Sequence, residues 1–103
     1  MHETRLVNTV IAEILNKNVR RAKLRIGRMH ARADIFEELF KAQSKGTPAE
    51  GVELTVEEVP VKIRCQCGYT GHVRVLEHVH FVRCPHCNEI AEPITGKELE
   101  IIY

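Results

Sequence analysis

The chain of 103 residues has no tryptophan, and its other aromatics are three phenylalanines and two tyrosines. Binding single-stranded nucleic acid calls for aromatic faces interleaved with cations, and no such interleaving occurs here. No apolar run approaches the roughly 20 residues that cross a bilayer as a helix. The start of the chain also lacks the basic segment, apolar core and cleavage site of a secretory signal. A cytoplasmic protein is therefore expected. There is no P-loop, no G-x-S-x-G elbow, no G-x-G-x-x-G fingerprint and no convincing acid–base pair, so the chain reads as a non-enzyme. The isolated His30 reads as a surface residue.

Neither sign of charge predominates, since 15 Lys and Arg face 14 Asp and Glu for a formal net charge of +1. The balance hides a division along the chain. Lys17, Arg20, Arg21, Lys23, Arg25, Arg28 and Arg32 follow one another with no acid among them, whereas Glu37, Glu38, Glu50, Glu53, Glu57 and Glu58 dominate what comes next. Two solvated faces that partly neutralise each other would produce this pattern. So would a docking patch for an acidic partner.

What is present falls into recognisable periods. Leu6, Val7, Val10, Ile11, Ile14 and Leu15 make one helical face, with Thr4 placed to cap it and Asn18 suited to the left-handed conformation that ends helices. Ala22, Leu24 and Ile26 alternate with Lys23 and Arg25 as a half-buried strand whose cations face water. Asp34 and Glu37 form a capping-box pattern ahead of Ile35, Phe36, Leu39 and Phe40, a second helical face stopped by Gly46 and Pro48. Val52, Leu54 and Val56 then alternate as a strand up to Pro60. Strand, helix, strand predicts a parallel crossover unit. The closing residues, Glu98 to Tyr103, alternate again and need a sheet to join. The expected fold class is therefore α+β. Two helices lie on a small mixed sheet built from residues 1–60 and a returning strand, 97–103, with a zinc-ribbon-like unit, 61–96, inserted before that strand.

About 35 residues are too few for a hydrophobic core alone, so the insertion needs a staple. Its cysteines supply one: Cys65-Gln66-Cys67, then sixteen residues, then Cys84-Pro85-His86-Cys87. Two close pairs at that separation are the pattern of a four-thiolate zinc site, and a reducing compartment favours ligands over disulfides. Gly68 and Asn88 after the pairs accept left-handed backbone angles. The first pair is C-x-C rather than C-x-x-C. In an extended chain its two side chains would share a side and could still reach one ion. His72, His78, His80 and His86 are near enough in sequence to replace a thiolate. Short strands are expected at 72–75 and 80–82. Such a closed zinc site leaves no position for water or substrate, which argues against hydrolysis there.

Met1-His2-Glu3 carries a second metal motif. The terminal amine, the backbone nitrogen of His2 and its imidazole can close two chelate rings, with Glu3 as a fourth donor. Planar nitrogen-rich coordination suits nickel(II) or copper(II).

Taken together, Met1-His2-Glu3, Gly51-Val52-Glu53-Leu54, Glu58-Val59-Pro60 before Cys65 and Cys67-Gly68, Cys84-Pro85-His86-Cys87, and Gly96-Lys97-Glu98-Leu99-Glu100-Ile101 resemble the HypA family in order and over nearly the whole chain. The resemblance implies a nickel metallochaperone of [NiFe]-hydrogenase maturation, with His2 as the essential nickel ligand, structural zinc at the four cysteines, and nickel as the cargo. It also implies a HypB-like GTPase partner and delivery to the hydrogenase large-subunit precursor, the same machinery serving urease in some organisms. His80 is a candidate extra nickel ligand. The rival reading is a zinc-ribbon module that binds nucleic acid through the basic run.

Overall fold

The computed structural model describes residues 2–76 and 79–103, apart from the side chain of residue 2. Helix α1, His2–Lys17, buries Val7, Val10, Ile11 and Ile14, and it ends where Asn18 turns to φ 54°. Thr4 is not its cap. The helix opens two residues earlier, which puts the Glu3 carboxylate in the first turn beside the positive end of the helix dipole.

Strand β1, Arg21–Gly27, leads into α2, Ala33–Ser44, and back to β2, Glu53–Val59, which pairs with β1 in parallel. Leu24, Ile26 and Phe36 are fully buried between helices and sheet. Burying a side chain of that size stabilises by about 1.5–3 kcal/mol each, so this cluster rather than helix propensity holds the unit. The capping box expected at Asp34 and Glu37 does not form. Arg32 is the N-cap and contributes no side-chain cap, while Asp34 lies inside the first turn, where it accepts from Arg32 and from the Ile35 N–H. The first N–H of α2, that of Ala33, donates to Glu58 Oε1 at 2.9 Å. A carboxylate from the neighbouring strand thus does the work expected of a local one.

The β1 cations are paired rather than presented to water alone. Arg21 meets Glu53 at 3.1 Å, Lys23 meets Glu57 at 3.4 Å, and Arg25 meets Glu57 at 3.2 Å and Glu100 at 3.4 Å. Parallel register opposes Arg21 to Glu53 and Arg25 to Glu57, which converts the division of charge along the chain into cross-strand pairs.

One residue, Pro60, separates β2 from a second sheet. Its strands are β3, Val61–Arg64; β4, Thr70–Val73; β5, Val82–Arg83; and β6, Ile90–Thr95, in the order β4-β3-β6-β5, antiparallel throughout. The strands expected at 72–75 and 80–82 are thus displaced to 70–73 and 82–83, and two further strands lie outside the cysteine pairs. The reason is that each pair forms the turn of its own hairpin, and β3 with β6 joins the two hairpins. Finally β7, Leu99–Ile102, returns to pair antiparallel with β1, which becomes the central strand of β2-β1-β7.

The two sheets meet through the turn after β1. Met29, 3% exposed, packs with Val61, Ile63, Cys65, Val75, Val82, Cys84 and Ala91 of the second sheet's core. Its N–H donates to Gly96 O at 3.0 Å, and its carbonyl accepts from Val79 N–H at 3.1 Å. His30 is half-buried here, with Nε2 2.9 Å from Lys97 O, so it is not simply a surface residue. Two separate cores draw the molecule out to 49 × 24 × 17 Å with a radius of gyration of 15.5 Å, against about 13 Å for a compact domain of this length.

Candidate metal centre

Each cysteine pair is set by its hairpin turn. In the first, Cys65 N–H donates to Tyr69 O and Gly68 N–H to Cys65 O, with Gly68 at φ 100°. In the second, Cys84 N–H donates to Glu89 O and Asn88 N–H to Cys84 O, with Asn88 at φ 66°. The first turn closes around Gln66, Cys67 and Gly68, one residue fewer than the second. That shorter turn is how C-x-C reaches the same point as C-x-x-C. Cys67 lies in a turn, not in the extended segment expected for this spacing.

The four Sγ atoms of Cys65, Cys67, Cys84 and Cys87 lie within 4.8 Å of one another. Cys65 and Cys87 are 3.5 Å apart across the cluster, and Cys67 and Cys84 are 3.6 Å apart. Four thiolates at about 2.3 Å from a tetrahedral ion would be about 3.8 Å from one another, so this donor set fits a metal such as zinc. Cys65 and Cys84 are buried and Cys67 and Cys87 exposed, which places the centre at the rim of the second sheet. The His86 N–H also points at Cys84 Sγ, at 3.3 Å.

The thiols are not equivalent. Burial works to raise Cys84, but the N–H groups of Cys87 and His86, with the Cys67 and Cys65 thiols, outweigh it and bring its pKa down to about 7. At Cys87 the Glu89 N–H works to lower the value, yet the neighbouring Cys65 thiol, burial, and the Cys67 and Cys84 thiols carry it up to about 12. Cys67 is likewise raised: the Tyr69 N–H, its largest single influence, and the Cys87 thiol lower it, while burial and the thiols of Cys65 and Cys84 more than offset them. One thiolate forms readily beside thiols that resist because the four closely spaced groups titrate together.

Among the described residues, these cysteines are the only group of three or more His, Cys, Asp or Glu placed to share an ion. His72, His80 and His86 are not part of such a group, and His78 lies outside the described residues. Met1 and the His2 side chain lie outside them as well, while Glu3 is half-buried in the first turn of α1. Sequence reasoning missed the contribution of Met29 to the core behind Cys65 and Cys84, because nothing local in Arg28-Met29-His30 signals a distant partner. On β1 the cations of the basic run are paired with Glu53, Glu57 and Glu100.

Residues 1–103 match the family described as "Hydrogenase/urease nickel incorporation, metallochaperone, hypA". The chain is 30% identical to the hydrogenase maturation factor HypA of Methanosarcina acetivorans, with 96% of this chain and 90% of that protein covered. It is 32% identical to the one from Chloroflexus aggregans, with 99% and 96% covered. In fold it is similar to the solution structure of the Ni metallochaperone HypA from Helicobacter pylori, with a TM-score of 0.56, 20% identity, and 100% and 95% of the two chains covered. Two helices on a mixed sheet, a four-cysteine centre on two hairpins, and a family match over the whole length lead to one assignment: the chain belongs to the HypA family of metallochaperones for nickel incorporation in hydrogenase maturation.

Proposed function

We propose that this chain binds nickel(II) at its N-terminus and hands it, with a HypB-like GTPase, to the large-subunit precursor of a [NiFe]-hydrogenase or to urease. The single observation that carries the reading is the match to a nickel-incorporation family from residue 1 to residue 103. The donors are the Met1 amine, the backbone nitrogen and imidazole of His2, and Glu3, in the planar set nickel(II) favours. Support also comes from the anchoring of α1, whose Val7, Val10 and Ile14 are at most 1% exposed and give the first turn a rigid base. The zinc of Cys65, Cys67, Cys84 and Cys87 is structural, since four protein ligands leave no open position. Residues 1–60 with 97–103 form the nickel unit, and 61–96 form the zinc unit.

Nickel binding through the amine displaces protons. A reference α-amine titrates at about 7.7–8.0 and imidazole at about 6.5, so affinity falls as pH drops from about 8 to 6. The test is equilibrium nickel binding by untagged protein whose free Met1 amine has been established by mass spectrometry. A residue added before Met1, or His2→Ala, should abolish tight nickel binding and leave zinc content unchanged. Equal nickel affinity in the extended protein would remove the amine from the ligand set. For the transfer step, His2→Ala should bind the GTPase normally yet deliver no nickel, and wild-type delivery by that variant would refute the assignment.

A further inference from the structure

A crevice of about 440 Å³ lies between the two sheets, with an apolar floor that includes Val61 and with Arg28, Arg32 and Arg74 around one carboxylate, Glu58. The Arg28 side chain is only 13% exposed, and its Nε stands 3.9 Å from Glu58 Oε2. Its Nη1 is buried and has no hydrogen-bond partner. Buried donors without an acceptor are rare in folded proteins, and one on a charged group calls for an explanation. Glu58 does not meet the need of Nη1, because its Oε2 stands 3.9 Å from Nε and its Oε1 accepts from the first N–H of α2 at 2.9 Å. Arg32 is already paired with Asp34, whereas Arg74 has no carboxylate partner among the described residues. In one crevice, therefore, Arg28 Nη1 lacks an acceptor and Arg74 lacks a carboxylate among the described residues.

We propose that this crevice binds a carboxylate presented by a protein partner: an acidic side chain flanked by an apolar residue that rests on Leu76. A guanidinium fork suits carboxylate or phosphate equally well. Glu58 decides between them, since it repels a phosphate near −2 more than a singly charged carboxylate. Leu76, 73% exposed at the rim, and the apolar floor favour an anion carried on a peptide over a free one. The volume falls at the small end of the roughly 300–1,000 Å³ of ligand pockets, the size of a side chain rather than a cofactor. Arg28 and Arg74 both line the crevice, so an incoming carboxylate meets a guanidinium from each. The inference rests on neither metal site.

The test is a titration of the zinc-loaded full chain, labelled with ¹⁵N, with acetyl-Leu-Glu-Leu-amide, its Gln counterpart, sodium acetate and inorganic phosphate. The Glu peptide should shift the Arg28 and Arg74 side-chain signals and the Leu76 amide, saturably and at least about ten-fold more tightly than the other three probes. Arg74→Ala, at an exposed position, should weaken it several-fold, and Arg28→Met should abolish it. Unchanged zinc content and an unchanged amide spectrum away from the crevice serve as the fold control. Equal binding of acetate or phosphate would make this an adventitious ion site only, and equal binding of the Gln peptide would show that the carboxylate is not what is recognised; either result would overturn the proposal. So would shifts elsewhere on the surface, or Glu-peptide binding unaffected by Arg74→Ala.

Discussion

Replacing Met29 with alanine tests whether the two sheets are coupled through one side chain. Met29 belongs by sequence to the turn after β1, yet it packs against Cys65, Cys84, Val61, Ile63, Val75 and Val82 and is 3% exposed. Truncating a buried methionine costs about 2–5 kcal/mol, because transfer energy is lost and the cavity closes only partly. The backbone bonds from Met29 N to Gly96 O and from Val79 N to Met29 O do not need the side chain, so the turn itself should survive. The loss therefore falls on the second core, which has few apolar residues beside the four-cysteine cluster. At about 1.4 kcal/mol per tenfold, opening of that unit should rise between about 30-fold and a few thousand-fold. Two readouts follow: zinc release to excess chromogenic chelator should accelerate, and hydrogen exchange should speed up at Ile63 and Ala91 while Val10 and Ile14 in α1 stay protected. Equal loss of protection in α1 would show one cooperative unit instead of two. Unchanged zinc release would show that the Met29 contact carries no energy.

Further outcomes are expected. Zinc needs thiolates, and Cys67 is raised from its ordinary value while Cys87 stands at about 12, so at least these two thiols bring protons that zinc must displace near neutrality. Apparent zinc affinity should then fall at least about 100-fold per pH unit on acidification from 8, and more steeply below the value of about 7 at Cys84, when a third proton competes. A competition titration against a chelator of known pH dependence checks this, and a pH-independent affinity would rule it out. Glu58→Ala removes the carboxylate from the first N–H of α2 and should cost about 0.5–2 kcal/mol by urea denaturation, whereas Glu37→Ala, the partner in the unformed capping box, should cost nearly nothing. Gly27→Ala places a Cβ 2.0 Å from Gly96 O, backbone against backbone, and should destabilise by about 3 kcal/mol or more. A Gly27→Ala protein of wild-type stability would mean that the return to β7 shifts freely.

Local chemistry made part of this protein legible from the chain alone. The helical period at Val7, Val10, Ile11 and Ile14 located α1, and the alternation at Ala22, Leu24 and Ile26 located β1, because burying one face imposes its period on neighbouring residues. Asn18, Gly68 and Asn88 marked left-handed positions that do adopt φ 54°, 100° and 66°. The two cysteine pairs pointed to a four-thiolate cluster, and their Sγ atoms do lie within 4.8 Å of one another. Met1-His2-Glu3 stands as a proposal from the donor chemistry of three adjacent residues, since Met1 and the His2 side chain lie outside the described residues.

Tertiary structure alone decided the rest, where the relevant partner is far away in sequence. The cap of α2 comes from Glu58 rather than from the capping box at Asp34, because β2 delivers a carboxylate to the Ala33 N–H once it pairs with β1. The C-x-C pair closes a turn instead of lying extended, since Cys65 N–H finds Tyr69 O when β3 meets β4. Register set Arg25 between Glu57 and Glu100, which made a cation of the basic run a cross-strand partner. Met29 entered the core behind the cysteines because Gly27 lets the chain pass against Gly96. Periodicity and motif spacing report what a residue needs from its environment, but the strand pairing decides which distant group supplies it.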